Sequence, residues 1–109
     1  MNWILKYLPE ALDDLNALDG SVRPQVLKGI YKVQKNPLSK VKGGYGEPLG
    51  NKSGNDLTGL YKIKFRGIGL RVVYSLEEIN SVMTIVVISF RADNEVYDTA
   101  EHRRNKNNL

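Results

Sequence analysis

Tyr61-Lys62-Ile63-Lys64-Phe65-Arg66 alternates apolar and cationic side chains without a break, and this stretch restricts the fold more than any other part of the chain. Successive side chains of a strand point to opposite faces, so Tyr61, Ile63 and Phe65 are expected on a core face. Lys62, Lys64 and Arg66 then share the other face. After Gly67-Ile68-Gly69 a second strand is expected over Leu70 to Leu76. A two-residue turn at Gly67-Ile68 would set Arg66 opposite Gly69, Phe65 opposite Leu70 and Lys64 opposite Arg71. Val82 to Phe90 is almost continuously apolar, the pattern of a central strand buried on both faces.

The residues before the hairpin read differently. Trp3, Leu5 and Tyr7 alternate and predict a short N-terminal strand. Pro9-Glu10 suits the first turn of a helix whose apolar face is Leu12, Leu15 and Leu18, with Asp13, Asp14 and Asn16 opposite. Asp19-Gly20 is expected to end that helix and Ser21 to cap the next. Val22, Val26, Ile30 and Val33 recur at helical spacing, with Lys28, Lys32 and Lys35 between them, until Asn36-Pro37 stops the helix. Residues 38–59 are rich in Gly, Asn, Ser and Lys and read as a long loop, a flexible connector. Asn94 to Arg104 reads as a short polar helix, with Asn105 to Leu109 frayed. The element order predicts an α+β fold: an N-terminal strand, a two-helix hairpin packed on a mainly antiparallel sheet, and a short C-terminal helix. A length of 109 residues is expected to form a single domain over 1–109.

Composition removes several function classes. The chain has no cysteine, so disulfide frameworks and thiolate zinc sites are excluded. Its one histidine, His102, excludes a His–His catalytic pair, and no clustered Asp/Glu pattern suggests a metal site. No phosphate loop of the GxxxxGK[ST] type is present. No apolar run approaches the roughly 20 residues of a membrane helix. The start of the chain is a poor signal peptide, with Lys6 and Glu10 breaking its apolar stretch, and the expected location is cytoplasmic. A net charge of +4 is compatible with an anionic partner such as nucleic acid.

The position of the charge says more than its sum. With Arg71 opposite Lys64, the hairpin gathers cations on one small area, and no acidic residue lies between Leu60 and Ser75 to offset them. Like charges facing across a sheet destabilise it by about 0.2–1 kcal/mol, so the concentration suggests an anion site. A solvated strand face accounts equally for alternating lysines.

Two segments together carry a family likeness. Leu60-Tyr61-Lys62-Ile63-Lys64-Phe65-Arg66-Gly67-Ile68-Gly69-Leu70-Arg71-Val72-Val73-Tyr74 resembles the YKIK…(G)xRxVY hairpin of the RelE/ParE toxin superfamily. Val87-Ile88-Ser89-Phe90-Arg91-Ala92-Asp93-Asn94-Glu95-Val96-Tyr97 resembles that family's final strand and its RxxxEVY ending. With the two preceding helices in order, the likeness spans essentially the whole chain. The stretch between the last strand and Arg91 is shorter than in some relatives, and the glycine-rich segment before Leu60 is longer than the family pattern.

The likeness to the RelE branch implies a toxin of a type II toxin–antitoxin system. Such toxins are metal-independent and ribosome-dependent endoribonucleases that cut translated mRNA in the decoding site, the 30S A site. The resemblance carries the catalytic roles to Lys62, Lys64, Arg71, Arg91 and Tyr97. It implies no cofactor, and as partners mRNA, the ribosome and a cognate antitoxin protein. The antitoxin is expected in apolar grooves beside the helical pair or at the place of the C-terminal helix. Arg66, Arg103 and Arg104 are expected as RNA-binding cations.

The chemistry asks for such side chains. RNA can be cut by its own 2′-hydroxyl attacking the adjacent phosphate, which needs proton removal, charge stabilisation and protonation of the leaving 5′ oxygen. Lysine and arginine stabilise phosphate charge directly, and a lysine crowded by like charges is a candidate base. Tyr97 could stack on a nucleobase, orient the 2′-hydroxyl or take its proton, and Arg91 could serve the leaving oxygen. Plainer roles stand beside these: Tyr97 as packing, Arg91 as a surface cation, and Tyr61, Tyr74 and Trp3 as structural residues. Two other functions share the pattern, a ParE-like inhibitor of DNA gyrase and a non-catalytic RNA- or antitoxin-binding degenerate toxin. Having all five motif residues favours the nuclease.

Overall fold

A computed structural model describes residues 3–52 and 54–109; Ser53, within the expected loop, lies outside the described residues. In chain order the elements are β1 (Ile4–Tyr7), α1 (Pro9–Asn16), α2 (Arg23–Gln34), a 3-10 turn (Lys40–Lys42), β2 (Glu47–Lys52), β3 (Asn55–Phe65), β4 (Leu70–Glu77), β5 (Val82–Ser89) and α3 (Asp93–Lys106). The sheet runs β1-β5-β4-β3-β2, with β1 parallel to β5 and the other pairs antiparallel. This is the expected α+β architecture. Among the described residues no helix is long and apolar enough to cross a membrane.

The hairpin register is the expected one. Phe65 stands opposite Leu70, Lys64 opposite Arg71, Ile63 opposite Val72 and Tyr61 opposite Tyr74. β5 is central, between β1 and β4, and Met83 and Ile85 to Ile88 are buried. Val73 pairs with Val87 and Tyr74 with Ile85, so Val86 is an extra residue on β5. Such a bulge strengthens the local twist.

Each face of the hairpin carries a helix. On the Phe65 face, α2 approaches closely at Gly29, where an added Cβ would stand 2.3 Å from the Phe65 ring. On that face Tyr61 and Tyr74 stack at 5.3 Å, and the Tyr74 hydroxyl donates to Pro37 O at 2.8 Å. The opposite face, that of Lys62 and Lys64, is covered by α3, which buries Val96, Tyr97 and Ala100 against β3, β4 and β5. α3 has 14 residues, Asp93–Lys106, so the expected C-terminal helix starts one residue earlier than Asn94 and takes in Asn105 and Lys106, which were expected to be frayed. Its apolar content is small but concentrated on one stripe.

Several local expectations need correction. Leu12 is 45% exposed; Leu8, Ala11, Leu15 and Leu18 form the buried stripe of the α1 region instead. Ser21 does not cap α2. Val22 is the N-cap without a side-chain bond, and Asp19 O accepts from Val22 N and Arg23 N at 2.9 and 3.0 Å. Arg23 holds the connection by donating to the orphan carbonyls of Leu15, Asn16 and Leu18 at the end of α1.

The expected loop over 38–59 is largely ordered structure. β2 pairs with β3 along the sheet edge, with a register shift between Pro48 and Gly50. Pro48 is tolerated because an edge strand has one unpaired side. Gly50 and Gly54 take positive φ (61° and 79°) at the bulge and the turn, conformations that glycine adopts without steric cost. Among the described residues of 38–59, Leu49 and Leu57 are the buried hydrophobic side chains, so the apolar signal of this stretch is thin.

Candidate functional site

The cationic face is built by three strands and a helix. β3 contributes Lys62 and Lys64, β4 contributes Arg71, β2 contributes Glu47 and α3 contributes Asp93 and Tyr97. The side chains of Lys62, Lys64 and Arg71 are 19%, 26% and 25% exposed, so the three are mostly withdrawn from solvent. Acids from outside the hairpin partner them. Glu47 Oε2 lies 3.9 Å from Lys62 Nζ, and Asp93 Oδ2 lies 3.7 Å from Lys64 Nζ. The other Asp93 oxygen touches Arg71 Nε directly. These carboxylates place negative charge among the clustered cations of the hairpin.

Arg71 is fixed further by its terminal nitrogen, which donates to Arg91 O at 3.0 Å. Glu47 also accepts from Lys40 Nζ at 3.0 Å. That bond, with the nearby charges of Lys40, Lys62 and Arg66, holds its carboxyl below the usual glutamate range against the opposing cost of burial.

Tyr97 sits under the site at 4% exposure. Burial raises its phenol above the ordinary tyrosine value; Asp93 and Glu47 push the same way and Arg71 opposes. At neutral pH the group is a neutral hydrogen-bond donor and a poor proton acceptor. Its ring offers no open face, so stacking on a nucleobase is not available in this arrangement.

The remaining expected residues fall elsewhere. Arg66 lies in the turn beyond β3, exposed, at the lip of a depression of about 190 Å³ lined by Lys64, Phe65, Gly69, Leu70 and Arg71. Arg91 brings its backbone to the site, but its guanidinium is exposed and paired with Glu95 at 3.7 Å. Arg103 and Arg104, expected as RNA-binding cations, make hydrogen bonds within the chain. Arg103 donates to both Asp14 oxygens, at 2.6 and 3.3 Å, and to Val86 O at 3.0 Å. Arg104 donates to Asp56 O at 2.5 Å and to Thr58 O. Among the described residues no group of three or more His, Cys, Asp or Glu is placed to hold a metal ion.

Sequence reasoning missed Glu47 and Asp93, because it sought neutralising acids only within the hairpin. Asp93 lies inside the terminal motif, and its place in the first turn of a helix aimed at the cations was the available signal.

No family model matches the chain. It is 28% identical over 106 residues to the mRNA interferase toxin RelE of Escherichia coli (strain K12), covering 94% of this chain and 98% of that protein. The solved structure of an E. coli RelE double mutant in the free state superposes with a TM-score of 0.70 at 26% identity, over 94% of this chain and 98% of that one. In sequence and in fold the chain is similar to the RelE toxins. A further RelE superfamily structure, an E. coli RelE mutant in complex with an antitoxin peptide, matches at a TM-score of 0.66 and 25% identity over 92% of this chain and 95% of that one. The resemblance noted on the hairpin and terminal motif therefore extends to the whole sheet and its helices.

Proposed function

We propose that this protein is the toxin of a type II toxin–antitoxin system and cuts translated mRNA on the ribosome. The observation that carries the reading is the gathering of Lys62, Lys64 and Arg71, mostly buried, on one face beside the Tyr97 phenol. Cations preorganised in a partly dry site stabilise developing phosphate charge far better than solvated ones. The RelE relatives named as mRNA interferases support the same chemistry.

In the reaction, the 2′-hydroxyl loses its proton and its oxygen bonds to phosphorus. The bond from phosphorus to the 5′ oxygen breaks, and that oxygen takes a proton, leaving a 2′,3′-cyclic phosphate and a 5′-hydroxyl. Lys64 and Arg71 hold the non-bridging oxygens, and Lys62 supports the attacking side. Tyr97 orients the ribose by donating its phenolic proton. Arg91, at the rim, contacts the leaving side, and Arg66 meets a flanking phosphate. The reading requires no metal. The ribosome supplies the alignment of the 2′-oxygen with the 5′ leaving group, a positioning effect of the kind that raises rates steeply.

A cognate antitoxin completes the assignment, as in the RelE structure solved with an antitoxin peptide. The outer face of α2 carries Leu27 and Tyr31 in a depression of about 610 Å³ rimmed by Lys28, Lys32 and Lys35, and suits an acidic amphipathic segment of that partner.

The test is induction in growing cells of the wild type and of a Lys62→Ala/Arg71→Ala variant, with mapping of mRNA 5′ ends. New ends in translated regions, seen with the wild type alone, are expected. Growth arrest without new ends would replace the nuclease by a gyrase-directed toxin, and no arrest would leave a binding module.

A further inference from the structure

The cationic face is already occupied by an acid of the chain itself. One Asp93 oxygen lies 3.7 Å from Lys64 Nζ and the other touches Arg71 Nε. Lys64 and Arg71 are directly opposed across β3 and β4. A single carboxylate thus bridges two cations that would otherwise repel, as two oxygens of a phosphate would. Asp93 is the first residue of α3, where the positive end of the helix favours a negative charge. Its side chain is nevertheless 41% exposed, so it has a path to solvent. Arg71 also donates from a terminal nitrogen to Arg91 O at 3.0 Å.

We propose that Asp93 is an internal stand-in for the substrate phosphate, seated on Lys64 and Arg71 until an RNA phosphate displaces it. This rests on the nuclease reading above. Asp93 keeps the two cations in phosphate-binding positions and sets a threshold that weakly held RNA does not cross. Phosphate entry exchanges one anion for another, so fewer solution counterions are released than the cation count implies. Wild-type binding is therefore weaker and less salt-dependent than it would be without this carboxylate.

The test is equilibrium binding of a 2′-O-methylated, non-cleavable single-stranded RNA to the purified full chain, by fluorescence anisotropy at several salt concentrations. Wild type, Asp93→Asn, Lys64→Ala and the double variant are compared. Asp93→Asn is expected to bind roughly fivefold tighter or more, the order for two partly screened ion pairs. The log–log salt slope should steepen by about 0.7 for each phosphate contact newly drawn from solution counterions. The gain should shrink when Lys64 is also alanine. Equal or weaker binding by Asp93→Asn, while Lys64→Ala still weakens it, overturns the role of Asp93 and leaves the phosphate face standing. Lys64→Ala without effect in either background overturns both. Circular dichroism reports whether α3 persists; if Asp93→Asn disturbs it, Asp93→Ser, which keeps a helix-starting polar side chain, is read by the same outcomes.

Discussion

Replacing Asp14 by alanine should be among the most destabilising single changes outside the apolar core. Asp14 receives Arg103 through both oxygens, at 2.6 and 3.3 Å, and accepts Ile88 N at 3.1 Å on the β5 edge beyond the end of β1. The two side chains are 21% and 17% exposed. An exposed pair would contribute about 0–1 kcal/mol, and breaking a fully buried one costs about 3–5 kcal/mol. A fifth of each group in water places this pair between those limits. The loss of the Ile88 acceptor is included, and the expected cost is about 2–3 kcal/mol. For a chain of this length that lowers Tm by about 10 °C and the urea midpoint by about 1–2 M. The assay is urea denaturation of the wild type, Asp14→Ala, Arg103→Met and the double variant. The cycle should give a coupling of about 1–2 kcal/mol. A coupling near zero, or Arg103→Met that keeps its stability but loses RNA affinity, would refute the structural role and restore Arg103 as an RNA contact.

Further outcomes are expected. A Cβ at Gly46 would stand 2.5 Å from both Pro37 O and the Tyr74 hydroxyl, so Gly46→Ala should lower stability by about 1–3 kcal/mol in a thermal melt. Tyr7, Tyr74 and Tyr97 all have phenols raised above 10.0 in the folded state, chiefly by burial. The folded chain then holds protons that the unfolded chain releases, so stability is unaffected below about pH 10 and falls as pH rises above it. Urea midpoints across that range check the sign, and a rise in stability would contradict it. Tyr97→Phe should keep α3 packed, because the ring is buried, yet slow mRNA cleavage by about tenfold or more through loss of the phenolic donor. Unchanged cleavage by that variant would make Tyr97 a packing residue only.

The parts of the fold that were legible in the sequence depend on local rules. The β3–β4 register followed from strict alternation and a short glycine-bearing turn, and β5 from a long apolar run. The β2 strand and the first half of β3 were hidden because their glycines and asparagines imitate a loop, with Leu49 and Leu57 as the buried hydrophobic side chains described there. In the site, Lys62, Lys64 and Arg71 were readable because one hairpin holds them. Their partners Glu47 and Asp93 come from different elements, and only tertiary packing joins them. Arg103 and Arg104 looked like cations of a solvated tail. Their partners Asp14, Asp56 and Thr58 are remote in sequence, 89 residues away for Asp14, and no periodic pattern signals such a pairing.

Cleavage of ribosome-held mRNA by this face can be tested in a purified system. The most direct measurement supplies purified protein to ribosomes stalled on an end-labelled mRNA with a vacant A site, and analyses the new termini. The expected result is a cut within the A-site codon that leaves a 5′-hydroxyl and a 2′,3′-cyclic phosphate, absent with Lys62→Ala/Arg71→Ala and with a 2′-deoxy nucleotide at the cut. An intact mRNA under conditions where the protein binds the ribosome, or equal cutting by the double variant, would contradict it.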